Sequence, residues 1–349
     1  MTRSEGIQFA VIAAVAVLAG ALELAHANEV LLFVVCGVAV AGMAHVLGVA
    51  TEQVGEASGP RVSALLNATF GNAAEVIIVV LAIRQGGELI DVARYSIIGS
   101  VIGNVLLILG ASLLVSGVRN GRQGFSAAVA GVNGTMLLLA TAALALPTLF
   151  SGLSSIPASD VVDLSHGVAV VVAALYIAYL VHAFQSPDES GASHGTARWS
   201  TGLALAVLAA SAIATGVLSE FLVGAIEPTI ASTGISPVFI GLIVVPLVGN
   251  VAEHFAAVKI AAKGDLDFAM GIAFNSALQV ALAVTAVAVA AGWLFGHELA
   301  LAFGALEIAV LIAAAVLAAF ISVSGRATWL EGLELLAIYA IAAIAFWYV

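Results

Sequence analysis

Apolar runs of roughly 20 residues follow one another along the whole chain, each cut off by a short stretch carrying charges, glycine or proline. This alternation predicts helices that cross a membrane. Eleven spans are expected, at 7–24, 29–50, 61–84, 94–117, 125–149, 163–184, 200–224, 235–261, 266–294, 299–323 and 329–349. The longest polar break, Gln185 to Trp199, mixes Ser, Pro, Asp, Glu, Gly and His and reads as a cytoplasmic linker between two halves. The expected organisation is therefore a leading transmembrane helix over 1–28, a first five-helix repeat over 29–184, the linker 185–199 and a second five-helix repeat over 200–349.

Composition agrees with the pattern. Of 349 residues, 62% are hydrophobic and 9% charged, which excludes a water-soluble globular domain and makes the lipid bilayer the solvent. The formal net charge of −11 changes little, because most acidic residues fall in the polar breaks; no nucleic-acid partner and no cofactor are expected. The single cysteine, Cys36, lies inside an apolar run, so neither a disulfide framework nor a thiolate metal site is available. No A-x-A-like cleavage site follows the first apolar run, which reads as a retained span.

Charge sets the orientation. With a cytoplasmic N-terminus, Arg3, Arg61, Arg119, Arg122, Arg198, Lys259, Lys263 and Arg326 fall inside and only Arg84 and Arg94 outside. Ten spans then remain after the leading one, five on each side of the linker, and the two halves enter the membrane from opposite faces. The fold class expected is an all-α polytopic membrane protein with two inverted-topology five-helix repeats. Such repeats mark secondary transporters, whose sites lie near the midplane where the repeats meet.

Both halves carry one motif: Gly71-Asn72-Ala73-Ala74-Glu75 in the third span and Gly249-Asn250-Val251-Ala252-Glu253 in the eighth. The next span of each half holds a polar pair, Ser100 with Asn104 and Ser276 with Gln279. On a continuous helix, Thr69, Asn72 and Glu75 form one polar stripe and Asn250 and Glu253 another. An ionised carboxylate at a helix centre costs about 3 kcal/mol on insertion scales, so two at matching positions call for a cation, a proton or a water-filled cavity.

One reading is that Glu75 and Glu253 are protonated polar links between helices. The reading that also explains their matched placement is an all-oxygen cage for a hard cation, with two carboxylates matching a divalent charge. Desolvation and mutual repulsion favour protonated carboxyls in the absence of metal, whereas a bound cation favours the ionised form, so proton and metal compete for one site. If the protein changes its facing only when loaded with one or the other, that competition is exchange.

Gly71, Gly249 and Pro246 fit such a site by weakening helical hydrogen bonding, though close packing explains them equally, and Gly99-x-x-x-Gly103 reads as a packing notch. Ser100, Asn104, Asn275, Ser276 and Gln279 either join the cage or hydrogen-bond neighbouring helices. His254 points about 100° away from Glu253, and proton transfer competes there with packing. Glu307 and His182 have no counterpart in the other half and read as structural, while Glu23, Glu220 and Glu334 lie nearer span ends.

The motifs F-G-N-A-A-E, G-L-I-V-V-P-L-V-G-N-V-A-E-H and W-L-E-G-L-E-L-L-A-I-Y resemble the Ca2+/H+ exchanger (CAX) family of the cation/Ca2+ exchanger superfamily over nearly the whole chain. Sodium/calcium exchangers of that superfamily look different at the paired motif, which makes proton coupling the expectation. The resemblance implies that Glu75 and Glu253 bind Ca2+ and exchange it for protons, that Asn72 and Asn250 shape the site, and that Ser100, Asn104, Ser276 and Gln279 flank it. It also implies one leading helix plus two inverted five-helix repeats. Where many relatives carry a strongly acidic segment between the repeats, this chain offers only Asp188 and Glu189.

Exchange of Na+, K+ or Mn2+ for protons is the sibling reading, and a passive cation channel the alternative of another class. An intramembrane hydrolase is disfavoured: His297-Glu298 lacks the second histidine of H-E-x-x-H, and Gly264-Asp265 lacks the first glycine of G-x-G-D. Without targeting extensions or long loops, a prokaryotic plasma membrane is the expected location.

Overall fold

Helices begin where the sequence supplies caps. In the computed structural model, which describes residues 2–153, 156–185 and 198–349, α1 (Arg3–Leu24) opens on a capping box: the Thr2 hydroxyl accepts from the Glu5 amide and the Glu5 carboxylate from the Thr2 amide. Asn28 caps α2 (Glu29–Ser58) by accepting from the Leu31 amide at 3.2 Å. Gly59, at φ +93°, then turns the chain, and Pro60 starts α3 (Pro60–Phe70) at a position whose N–H would be unpaired in any case. Most of the expected linker lies outside the described residues.

The first half continues through α4 (Ala73–Gln85), α5 (Leu89–Asn120), α6 (Ala127–Ser151) and α7 (Ala158–Gln185). The second half runs α8 (Thr201–Gly224), α9 (Ile226–Thr233), α10 (Pro237–Gly249), α11 (Val251–Ala261), α12 (Leu266–Phe295), α13 (Ala305–Ser324) and α14 (Trp329–Trp347). Among the described residues ten helices are long and apolar enough to cross a membrane, and the pair α10–α11, bent by 60°, makes an eleventh. That matches the number of spans expected.

Packing relates the halves by an exchange of partners. Helix α2 lies along α8 and α6 along α13, each against its own counterpart. The second half of α5 packs on α14 and α11, and in the mirrored relation the second half of α12 packs on α7 and α4. A short antiparallel ladder of β1 (Gln123–Gly124) with β2 (Arg326–Ala327) ties the loop after α5 to the loop after α13. Because each half contains an odd number of spans, this exchange inverts one half relative to the other.

Two boundaries differ from expectation. Helix α2 runs on past residue 50 to Ser58, because Gln53 is no solvent break: its side-chain oxygen accepts from the Arg198 and Trp199 amides at 2.7 and 3.2 Å, and Leu47, Ala50 and Val54 form a small core with Trp199. Residues 299–304, expected as helix, are non-helical, yet Leu299 and Leu301 are fully buried. Side-chain hydroxyls serve that backbone instead, with the Leu301 amide donating to Ser165 and the Phe303 amide to Thr148, both at 2.9 Å.

Candidate cation site

Both copies of the Gly-Asn motif break their helices, and in the same conformation. Asn72 has φ −109°, ψ 29° between α3 and α4, and Asn250 has φ −107°, ψ 13° between α10 and α11. Each asparagine occupies an N-cap position, yet neither side chain caps its own helix. Both reach into the opposite half instead. The Asn250 amide group donates to Glu75 Oε2 at 3.4 Å, to Ser100 Oγ at 3.2 Å and to the Pro246 carbonyl at 3.1 Å. Asn72 donates to Gln279 Oε1 at 2.8 Å and accepts from the Ser276 hydroxyl at 3.0 Å.

Glu75 and Glu253 stand in the first turns of α4 and α11, where helix N-termini favour negative charge. The Gly249 backbone lies directly against Glu75; a Cβ there would meet the Glu75 Cβ at 3.5 Å. Asn104 donates to Ser276 Oγ at 2.9 Å, crossing between the halves a second time. Both polar spans change helical pitch at this level: α5 is π-helical over Gly103–Ile108 and α12 over Val280–Val284. Such a turn re-aims the side chains next to it and recurs at functional sites.

Four buried oxygens in this cluster have no hydrogen-bond donor among the described residues: Glu75 Oε1, Glu253 Oε2, Asn104 Oδ1 and Asn250 Oδ1. Leaving a buried acceptor unmatched costs about 1–3 kcal/mol, more for a carboxylate. Their combined chemistry, two carboxylates and two amide carbonyls, is that of ligands for a hard cation or acceptors for protons. Among the described residues no three His, Cys, Asp or Glu side chains come together as a metal site, here or elsewhere, so the candidate ligands are two carboxylates and amide oxygens.

The structure brings the expected site residues into two hydrogen-bonded groups, each of which joins the halves: Asn250 with Glu75 and Ser100, and Asn72 with Gln279, Ser276 and Asn104; Glu253 lies one helical turn beyond Asn250. Thr69 is corrected. It is exposed, and its hydroxyl donates to the Leu65 carbonyl of its own helix at 2.8 Å. The stripe expected from Thr69 to Glu75 does not form because the helix stops at Gly71–Asn72, so its two ends belong to different helices. His254 is half-buried beside Glu253 and belongs to neither group. His182 is exposed near the end of α7, and Glu307 is buried at the start of α13.

Two residues of the surroundings carried no signal in the sequence. On α7, the Tyr176 hydroxyl donates to the Ala68 carbonyl at 3.2 Å and the Tyr179 hydroxyl to Asn275 Oδ1 at 2.7 Å. Their three-residue spacing puts both on one helix face, which is the only cue available before folding.

The site is not equally closed at its two ends. At one end α10 presses onto the first half of α5, with Ile240, Gly241, Leu242, Val245, Pro246 and Gly249 all buried. At the other end α3 leans mainly on α2, and Val62, Leu65, Asn67 and Thr69 are exposed. Glu75 is 0% exposed, whereas Glu253 remains half-buried.

The sequence pattern of the family described as "Sodium/calcium exchanger protein" matches residues 28–185 and 203–348. Over 346 residues the chain is 34% identical to the Ca(2+)/H(+) antiporter of Synechocystis sp., covering 92% of each protein. It is 36% identical over 334 residues to the Ca(2+)/H(+) antiporter ChaA of Bacillus subtilis, covering 93% of this chain and 94% of the relative. Among solved structures, native YfkE superposes with a TM-score of 0.85 at 34% identity, over 98% of this chain and 100% of the other. The H+/Ca2+ exchanger CAX superposes with a TM-score of 0.75 over 99% of this chain and 92% of the other; at 15% identity that likeness speaks to the fold alone.

Proposed function

The chain belongs to the sodium/calcium exchanger protein family, and we propose that it is an antiporter exchanging Ca2+ for protons across the membrane in which it sits. One observation carries the reading: beside the helix breaks of the two repeats, Glu75 Oε1, Glu253 Oε2 and Asn250 Oδ1 are buried without a donor among the described residues. Relatives covering almost the whole chain are Ca2+/H+ antiporters, which supports Ca2+ over Na+, K+ or Mn2+ and transport over catalysis.

Glu75 and Glu253 are the groups that exchange. Ionised, they hold one Ca2+ with help from the Asn104 and Asn250 carbonyl oxygens; protonated, they are neutral without it. Either loading removes the cost of two negative charges in a dehydrated pocket, and the bare pair does not. A pocket that can be sealed only when neutral moves Ca2+ one way and protons the other. Asn72, Ser100, Ser276 and Gln279 keep the two half-helix N-termini aligned on the bound ion, and His254 serves as an adjoining proton acceptor. The location proposed is a prokaryotic plasma membrane with a cytoplasmic N-terminus, so that the looser α3 end faces the cytoplasm.

Purified protein in liposomes tests this directly. A proton gradient is expected to drive uptake of radioactive Ca2+, with proton counterflow, and Glu75→Gln or Glu253→Gln to abolish both. Ca2+ flux without proton movement would make the protein a channel, and wild-type flux in either variant would reject the assigned carboxylates.

A further inference from the structure

The two ends of the site differ at one pair of equivalent positions. Aligning the halves on Ser100 and Ser276 sets Gly99 of α5 against Asn275 of α12. At the closed end Gly99 is where the backbones of α5 and α10 touch: a Cβ on Gly99 would lie 2.7 Å from the Leu242 Cα and carbonyl carbon. On the facing helix a Cβ on Gly241 would lie 2.7 Å from the Val92 carbonyl oxygen and 2.8 Å from the Tyr95 Cβ. Real Cβ atoms do not approach so closely, so this crossing needs glycine on both helices. Aligning Asn72 with Asn250 puts Ser63 of α3 in the place of Gly241. Ser63 is turned onto α2, where a Cβ on Gly55 would lie 2.9 Å from its Cα and Cβ, so at the open end the crossing position of α12 carries the Asn275 side chain and that of α3 packs elsewhere.

Asn275 is not free to fold out of the way. Its Oδ1 accepts from the Tyr179 hydroxyl at 2.7 Å, a bond anchored in α7. The neighbouring Tyr176 hydroxyl takes the Ala68 carbonyl of α3 at 3.2 Å, and Gln279 donates to the same carbonyl at 2.6 Å. Helix α3 is thus moored at its last turn while its earlier turns stand off from α12.

We propose that Asn275, held by the Tyr179 hydroxyl, is a positioning residue that wedges α3 away from α12 and keeps this end of the site open, opposing the glycine crossing that seals the other end. Tyr179 fixes the wedge and Asn275 supplies its bulk. The inference rests on the exchange reading only in that both ends must close in turn; its test does not require transport.

A single reporter cysteine, Thr69→Cys on exposed α3 in a Cys36→Ala background, is labelled with a membrane-impermeant maleimide in the full-length protein in liposomes. Asn275→Gly removes the wedge and is expected to slow labelling by about tenfold, a population shift of some 1.4 kcal/mol toward a closed α3 end. Asn275→Ala keeps a Cβ, which already would not fit at the Gly99 crossing, and is expected to fall between wild type and glycine. Tyr179→Phe leaves the bulk but unfixes it, with an expected slowing of about threefold. Equal labelling in wild type and Asn275→Ala, or an order in which Ala is slower than Gly, overturns the proposal whether or not Gly folds. In flux assays the slowed variants should need more Ca2+ on the α3 side for half-maximal uptake, with that value restored by Asn275→Gln, which keeps both bulk and an acceptor oxygen. If flux is absent while the labelling order holds, the wedge stands and the exchange reading falls.

Discussion

Helices α3 and α10 carry the two halves into the site from opposite ends, end in the same Gly-Asn pair and hand over to the same kind of half-helix, yet one is exposed and the other buried. The difference lies in the helix each meets. Helix α10 meets a glycine on α5 and makes backbone contact; α3 is held through the single Ala68 carbonyl, by the Gln279 amide of α12 and the Tyr176 hydroxyl of α7. Equal motifs thus create equivalent helix breaks, while the surfaces around them differ in how closely each end is packed.

The comparison extends to the carboxylates and is broken most directly there. Glu75 is held by Asn250 and covered by the Gly249 backbone, whereas Glu253 is half-buried. Glu75→Asp should lower Ca2+ affinity on the order of 100-fold, since a shortened side chain in a fixed wall cannot follow the ion, and Glu253→Asp by about tenfold. Isothermal titration with Ca2+ measures both, and equal losses would erase the proposed asymmetry.

The asparagines sharpen it. Asn250→Ala removes the amide donor from Glu75 and Ser100 together, a charge-assisted contact worth about 1.5–3 kcal/mol, while Asn72→Ala removes bonds between neutral groups worth about 1 kcal/mol. Half-maximal Ca2+ for uptake should therefore rise more in Asn250→Ala; the reverse order would mean that Asn72 is the direct partner of the ion.

Acidity discriminates between the ends as well. If protons and Ca2+ compete for the carboxylates as proposed, lowering the pH on the α3 side should raise the Ca2+ needed for half-maximal uptake, by up to about tenfold per pH unit for each proton displaced. Insensitivity to pH on that side would separate the proton path from Glu253. The smallest effect is expected far from the site, at the Arg84–Glu220 pair that joins the end of α4 to α8 at 3.3 Å with both side chains more than half exposed. Arg84→Ala should change thermal stability by less than about 1 kcal/mol and leave flux intact.

Much of this was legible in the chain as written. Apolar runs of spanning length, the odd number of spans per half and the repeated Gly-Asn-x-x-Glu motif are local properties of sequence, and they lead to the inverted fold and to Glu75 and Glu253 without any contact being known. Sequence leaves Ser100, Asn104, Ser276 and Gln279 open between two roles, because a polar residue inside a span looks the same whether it meets an ion or a neighbour. Thr69 was misplaced by extending a helical stripe through Asn72, where the backbone actually breaks. Residues 299–304 were misread as helix because their leucines are apolar, and apolarity reports burial rather than conformation.

What the sequence determined by itself was the solvent, the number of spans and the pairing of a Gly-Asn-x-x-Glu motif between the halves, since each depends on residue type and spacing alone. What only the tertiary structure decided was which donors the buried oxygens have, where Tyr176 and Tyr179 reach, and which end of the site is closed. These are settled by contacts between segments distant along the chain, where a few tenths of an ångström between two backbones separate a crossing that seals from one that stands open.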